Sequence, residues 1–169
     1  SSKDIQEASH LVLPGVGSFE SGMEGLRKFN LINILNEQVV EKEKKFLGIC
    51  LGMQLLTSHS EEGDVDCLNL IPAKTKRLRE HGLPLPHMGW NTLQPTEDNP
   101  LVDTNDSYCY FVHSFAVAVD EYTIASSEYG ERFASMIRHN NYFGAQFHPE
   151  RSGKTGEALL KRFLELKLC

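Results

Sequence analysis

The segment Phe46-Leu47-Gly48-Ile49-Cys50-Leu51-Gly52-Met53-Gln54-Leu55-Leu56 constrains the fold more than any other stretch of the chain. An apolar run ends in Gly-x-Cys-x-Gly, and an amphipathic run begins at once beyond it. Small residues two positions before and two after a reactive side chain are the pattern of a sharp strand-to-helix turn. Such a turn strains the backbone of its central residue, and glycine at both flanks removes side chains that would collide. Cys50 is thereby lifted to the end of a sheet strand and the start of a helix. There the helix dipole and unpaired N–H groups favour a thiolate. The N–H of Leu51 points to where an oxyanion would form. Taken alone, the pattern leaves Cys50 three readings: a small buried hydrophobe, a redox thiol or a nucleophile.

The redox reading lacks a partner. The cysteines are Cys50, Cys67, Cys109 and Cys169, with no Cys-x-x-Cys pair and no histidine at metal-ligand spacing from any of them. A zinc site or thioredoxin-type site is therefore not expected, and neither a metal nor a cofactor is implied. Reduced thiols of a cytoplasmic protein fit better than a disulfide framework.

The nucleophile reading requires a base, and Gln146-Phe147-His148-Pro149-Glu150 offers one. His148 ends an apolar strand, at the sheet edge where active sites of α/β proteins gather. Pro149 fixes the following turn, and Glu150 can curl back to hydrogen-bond the imidazole. By itself the tripeptide is as well read as a strand end followed by a solvated carboxylate; the elbow shifts the balance to catalysis. A third element is Leu13-Pro14-Gly15-Val16-Gly17, a strand running into a turn whose consecutive N–H groups suit an oxyanion. A plain turn is the competing reading. The spacing is not that of a dinucleotide or P-loop site.

Elsewhere the pattern alternates. A strand is expected at Leu11–Leu13 and one helix over Ser21–Lys42, with Met23, Leu26, Leu31, Ile34, Leu35 and Val39 at helical spacing. A second strand at Lys44–Ile49 leads into a helix over Leu51–Ser60. Residues 60–88 read as loop and short strands, with Pro72, Pro84 and Pro86 as breakers. Tyr108–Val119 reads as one or two strands, and Phe133–Phe147 as a hairpin turning at Asn140-Asn141. A C-terminal helix should bury Leu159, Leu160, Phe163 and Leu164. Together these predict one α/β domain over residues 1–169, with an open mixed, mostly parallel sheet flanked by helices. The opening Ser1–His10 is polar and helix-like, whereas such sheets usually open on a strand, so a first βα unit is expected to be missing.

Composition excludes other classes. With 17 basic against 23 acidic residues, the net charge is −6. No basic face suits nucleic acid, and Lys74–Arg79 reads as a solvated stretch. No apolar run is long enough to cross a bilayer, and no secretory or transit signal is recognisable.

In order along the chain, Pro14-Gly15-Val16-Gly17, Gly48-Ile49-Cys50-Leu51-Gly52-Met53-Gln54 and His148-Pro149-Glu150 resemble the triad-type, class I glutamine amidotransferases. Within that family, "LPGVGSFESGMEGL", "GLPLPHMGWN" and "YFVHSF" are similar to segments of the glutaminase subunits that serve imidazole glycerol phosphate synthase. The resemblance implies an amidotransferase-like fold and hydrolysis of L-glutamine to glutamate and ammonia. It implies Cys50 as nucleophile, His148 as proton carrier and Glu150 as its orienter. Val16, Gly17 and Leu51 would hold the oxyanion, and Gln54, Ser114 and Phe115 the substrate. The ammonia would pass to a (β/α)8-barrel cyclase of histidine biosynthesis in a heterodimer, with His87, Trp90 and Arg151 at the interface. Trp90 packed in the core with His87 facing solvent is the bland reading of the same segment. Paralogues that feed ammonia to a surface-polysaccharide sugar amidotransferase are an alternative, as is a non-catalytic or chaperone-like relative of the fold.

Overall fold

The computed structural model describes residues 2–103 and 107–167, so Cys169 lies outside the described residues. The chain opens with α1 (Ser2–Glu7), β1 (His10–Gly15), α2 (Phe19–Lys28) and α3 (Leu31–Asn36), which runs into a π-helical turn, Glu37–Glu41. Then come β2 (Lys45–Cys50), α4 (Leu51–Leu55), β3 (His59–Ser60), β4 (Val65–Asp66) and β5 (Lys74–Arg77). The second half carries β6 (His87–Thr92), β7 (Gln94–Pro95), β8 (Tyr108–His113), β9 (Phe115–Val117), β10 (Thr123–Tyr129), β11 (Glu131–His139) and β12 (Tyr142–Ala145). A 3-10 turn, Pro149–Arg151, and α5 (Gly153–Glu165) close it.

The sheet is mixed, in the order β1-β2-β12-β11-β9-β5-β3-β4, with β10 and β7 branching from β11. β1, β2 and β12 run parallel. From β12 onward antiparallel pairings dominate, and β6–β8 form a separate antiparallel ribbon. β2 lies between β1 and β12 and is buried along its whole length, as a parallel strand covered on both faces must be. One face packs Leu47, Ile49, Phe143 and Phe147 against Leu159 and Phe163 of α5. The other packs Phe46 and Met53 against Phe19, Met23 and Val39 of the first helices.

Three expectations are corrected. The single helix over Ser21–Lys42 is two helices. Asn30 sits at φ 53°, ψ 37°, and its N–H closes on Arg27 O, a left-handed cap that ends α2. The helix after Cys50 stops at Leu55 instead of reaching Ser60. The carbonyls of Leu55, Leu56 and Thr57 are captured by the N–H groups of Leu68, Leu70, Ile71 and Asn69, so tertiary bonds replace the next helical turn. On α5, Leu159 and Phe163 are fully buried but Leu164 is 63% exposed. One step from Phe163 rotates a helical side chain by about 100°, which carries Leu164 off the core face. The two strands around Tyr108–Val119 and the hairpin turning at Asn140-Asn141 stand as expected.

Candidate active site

Cys50 ends β2 and precedes α4, with φ 52° and ψ −110°, a conformation costly to any residue with a Cβ. The flanking glycines make it possible. A Cβ on Gly48 would lie 2.5 Å from Gly52 O, and one on Gly52 would lie 1.8 Å from Leu13 O. The elbow therefore packs backbone on backbone against β1, and β1 delivers Gly15 beside Cys50 in register.

His148 follows β12, the neighbour of β2 on its other side, so adjacent strands bring the nucleophile and base candidates to one end of the sheet. Its main chain is anchored by N–H donation to Tyr110 O, and its carbonyl accepts from Ser152 Oγ at 2.6 Å. The imidazole is almost buried, and its Nδ1 lies 2.8 Å from Glu150 Oε1. Pro149 starts the 3-10 turn that folds Glu150 back to it. With Nδ1–H donating to the carboxylate, Nε2 is left as a proton acceptor.

Cys50 and His148 share a cleft of about 560 Å³ with Val16, Gly17, Leu51, Gln54, Ser114 and Phe115. The sequence-derived triad, oxyanion and substrate residues thus converge. Val16 is 80% exposed and Gly17 has φ +97°, a left-handed conformation that glycine supplies without strain. Gln54 is buried on α4, and its Nε2 donates to Phe115 O at 2.7 Å and to Gln146 Oε1 at 2.9 Å.

The thiolate expectation is corrected. Burial pushes the Cys50 thiol up to about 11, and the Glu150 charge adds to that; the Leu51 N–H opposes it without prevailing. α4, which follows Cys50, is only five residues long. The resting thiol is therefore protonated at neutral pH. It points to Val112 O at 3.8 Å, and Gln146 Nε2 approaches its sulfur at 3.9 Å. Among the described residues no hydrogen bond joins Cys50 to His148.

Gln146, behind the cleft, and Glu62 and Arg77, in its lining, have no place in the sequence reading. Gln146 is fully buried and ties Cys50 to Gln54. Its one signal is its place two residues before His148; β12 ends at Ala145, so no strand pattern fixes where it points. Glu62 and Arg77 line the cleft. Neither sits in a motif, and the β3–β5 pairing that brings them there is long-range.

The interface residues divide. Trp90 is 57% exposed, and the Arg151 guanidinium lies 4.3 Å from the centroid of the Tyr110 ring, which Trp90 meets edge-on at 6.0 Å. His87 is the correction: only 3% exposed, it has no surface to offer a partner. On the antiparallel ribbon, residues alternate faces, and the pairing of His87 with His113 turns both rings inward. Both halves of the bland reading are thus reversed.

A thiol on an elbow, an imidazole bonded to a carboxylate and a glycine turn meet at one cleft. The chain belongs to the class-I glutamine amidotransferases, whose sequence profile matches residues 2–166. Among curated relatives it is similar to "Imidazole glycerol phosphate synthase subunit HisH" of Idiomarina loihiensis, 78% identical over 167 residues, covering 99% of this chain and 83% of the relative. The subunit of the same name from Vibrio cholerae is 50% identical over 170 residues, covering 96% and 82%. That from Pasteurella multocida is 48% identical over 163 residues, covering 95% and 80%. Among solved structures, a glutamine amidotransferase superposes with TM-score 0.75 at 16% identity, over 98% of this chain and 82% of that one. The glutaminase domain of Trypanosoma brucei CTPS with bound acivicin superposes with TM-score 0.63 at 13% identity, over 99% and 75%. These two likenesses bear on the fold alone. Among the described residues no helix is long and apolar enough to cross a membrane.

Proposed function

We propose that this chain is the glutaminase subunit of an imidazole glycerol phosphate synthase, hydrolysing L-glutamine to glutamate and ammonia in one amidotransferase domain. The observation that carries the proposal is the 2.8 Å contact of His148 Nδ1 with Glu150 Oε1 in the cleft that holds the Cys50 elbow. His148 Nε2 accepts the Cys50 proton as sulfur attacks the side-chain carbonyl of glutamine, and the imidazolium then gives that proton to the departing ammonia. Glu150 stabilises the imidazolium. The N–H groups of Leu51 and of the Val16-Gly17 turn receive the oxyanion. Water then attacks the glutamyl thioester, His148 takes its proton and returns it to the departing Cys50 sulfur, and glutamate leaves.

Gln54, Ser114 and Phe115 form the substrate wall. Glu62 and Arg77 bring one negative and one positive group to the same cleft, a match for the ammonium and carboxylate of a free amino acid.

A (β/α)8-barrel cyclase is the proposed ammonia acceptor, in a cytoplasmic heterodimer. The outer face of the β6–β8 ribbon, with Met88, Trp90 and Tyr108 exposed beside Arg151, is the apolar surface that such a partner would cover. The names of the relatives favour this acceptor over a sugar-modifying amidotransferase and over a non-catalytic role.

The test is ammonia release from glutamine by the chain bound to its barrel partner and loaded with the partner's acceptor substrate. Cys50→Ser should abolish release. Equal release by parent and variant overturns the catalytic assignment, and co-purification with a sugar-modifying enzyme overturns the acceptor.

A further inference from the structure

Two histidines outside the triad are buried side by side. His87 opens β6, His113 ends β8, and the two are direct partners in the ribbon. His87 Nδ1 lies 2.9 Å from His113 Nε2, and His113 Nδ1 lies 2.9 Å from Phe115 O. A carbonyl oxygen only accepts, so the proton of His113 sits on Nδ1. His113 Nε2 is then the acceptor, and His87 Nδ1 donates to it. His87 Nε2 in turn accepts from Asn91 Nδ2, 3.3 Å away. The Asn91 amide is fixed by its other bonds: Nδ2 donates to Glu128 O, and Oδ1 accepts from Thr92 N, each at 2.8 Å. The donors therefore all run one way, from Asn91 through His87 and His113 to Phe115 O.

The surroundings hold both rings neutral and still. Burial lowers the pKa of His87 to about 4 and that of His113 to about 3. His87 stacks between Phe111, at 4.9 Å, and Tyr129, at 4.2 Å.

The far end of this relay is the substrate wall. Phe115 O receives Gln54 Nε2 as well as His113 Nδ1, and Val112 O receives the Cys50 thiol. The bend where β8 gives way to β9 is thus clamped by the His113 ring reaching its own Phe115 carbonyl.

We infer that His87 and His113 are positioning residues for glutamine, holding the Val112–Phe115 wall, and through it Gln54, in the orientation that receives the substrate. This rests on the glutaminase reading above. Neither ring exchanges a proton with substrate. Each fixes a donor direction, and His87 acts only through His113.

The test uses the intact complex with the barrel partner and its acceptor substrate. Asn places an amide nitrogen where Nδ1 lies and keeps the donor to His113, whereas Leu fills similar space without it. His87→Leu should raise the KM for glutamine about tenfold and leave kcat within about threefold, and His87→Asn should recover most of that loss. Ring-nitrogen NMR of the unmodified protein at neutral pH should show both histidines as Nδ1–H tautomers, a readout that needs no variant to fold. An Nε2–H tautomer or an imidazolium at either ring overturns the inference, as does an unchanged KM in a glutamine-active His87→Leu complex. If the unmodified complex hydrolyses no glutamine, the glutaminase reading itself fails and the positioning role falls with it.

Discussion

His148 Nδ1 lies 2.8 Å from Glu150 Oε1, across a turn that Pro149 begins, while the Glu150 side chain remains 55% exposed. A half-solvated carboxylate orients the ring but stabilises its cation less than a buried one. Glu150→Gln keeps an acceptor and removes the charge. It should lower kcat for glutamine hydrolysis by roughly 10²-fold with little change in KM. Steady-state kinetics of the complex checks this, and a kcat within about threefold of the parent would remove Glu150 from the triad.

Gly52 of the elbow and Gly25 of α2 make opposite predictions. An Ala at Gly52 places its Cβ 1.8 Å from Leu13 O, a backbone atom that cannot step aside without moving β1. Gly52→Ala should destabilise by about 3 kcal/mol or fail to fold. Gly25, inside α2, has open space around it, and Gly25→Ala should stabilise by about 0.5–1 kcal/mol. Urea unfolding of the two variants decides both.

Acid should unfold the chain through the buried histidine pair. Both rings have folded-state pKa values lowered by burial, with His87 and His148 adding like charge at His113. The folded state therefore binds fewer protons than the unfolded one. Their contribution is complete above pH ~6.5 and is lost as pH falls toward 4 and 3, by about 2 kcal/mol per ring at pH 5. Urea unfolding at pH 7 and 5 should show this loss, and His87→Asn should show about half of it.

Cysteine labelling separates binding from ionisation. Burial raises the thiols of Cys50 and Cys67 alike to about 11, and Cys109 to about 12. Among the cysteines of the described residues, a small alkylating agent should react first at Cys67, the partly exposed one. A glutamine-mimicking electrophile should instead mark Cys50. Peptide mapping reads both outcomes, and Cys67 labelled in preference by the mimic would contradict the cleft assignment.

What could be read from the sequence was what is local. The elbow, the His-Pro-Glu turn and the Pro14–Gly17 turn are short segments whose residue types dictate their own backbone, and their convergence needs only adjacent strands. The inward face of His87 depends on its register against a strand 26 residues away, which no local pattern carries. The truncation of α4 after Leu55 was hidden for the same reason, since the 68–71 segment captures the carbonyls. The sign of the Cys50 shift turned on burial depth, and depth is a tertiary property. Gln146 stands two residues before His148, but glutamine announces no chemistry of its own.

The central claim is that Cys50 forms a covalent glutamyl thioester. The direct test is acid quench of the acceptor-loaded complex during turnover of radiolabelled glutamine, followed by peptide mapping. Label on the peptide carrying Cys50, lost in Cys50→Ser and accumulating in a variant slowed at deacylation, is the predicted result. Full glutamine turnover by the Cys50→Ser complex, or label on any other cysteine, would contradict it.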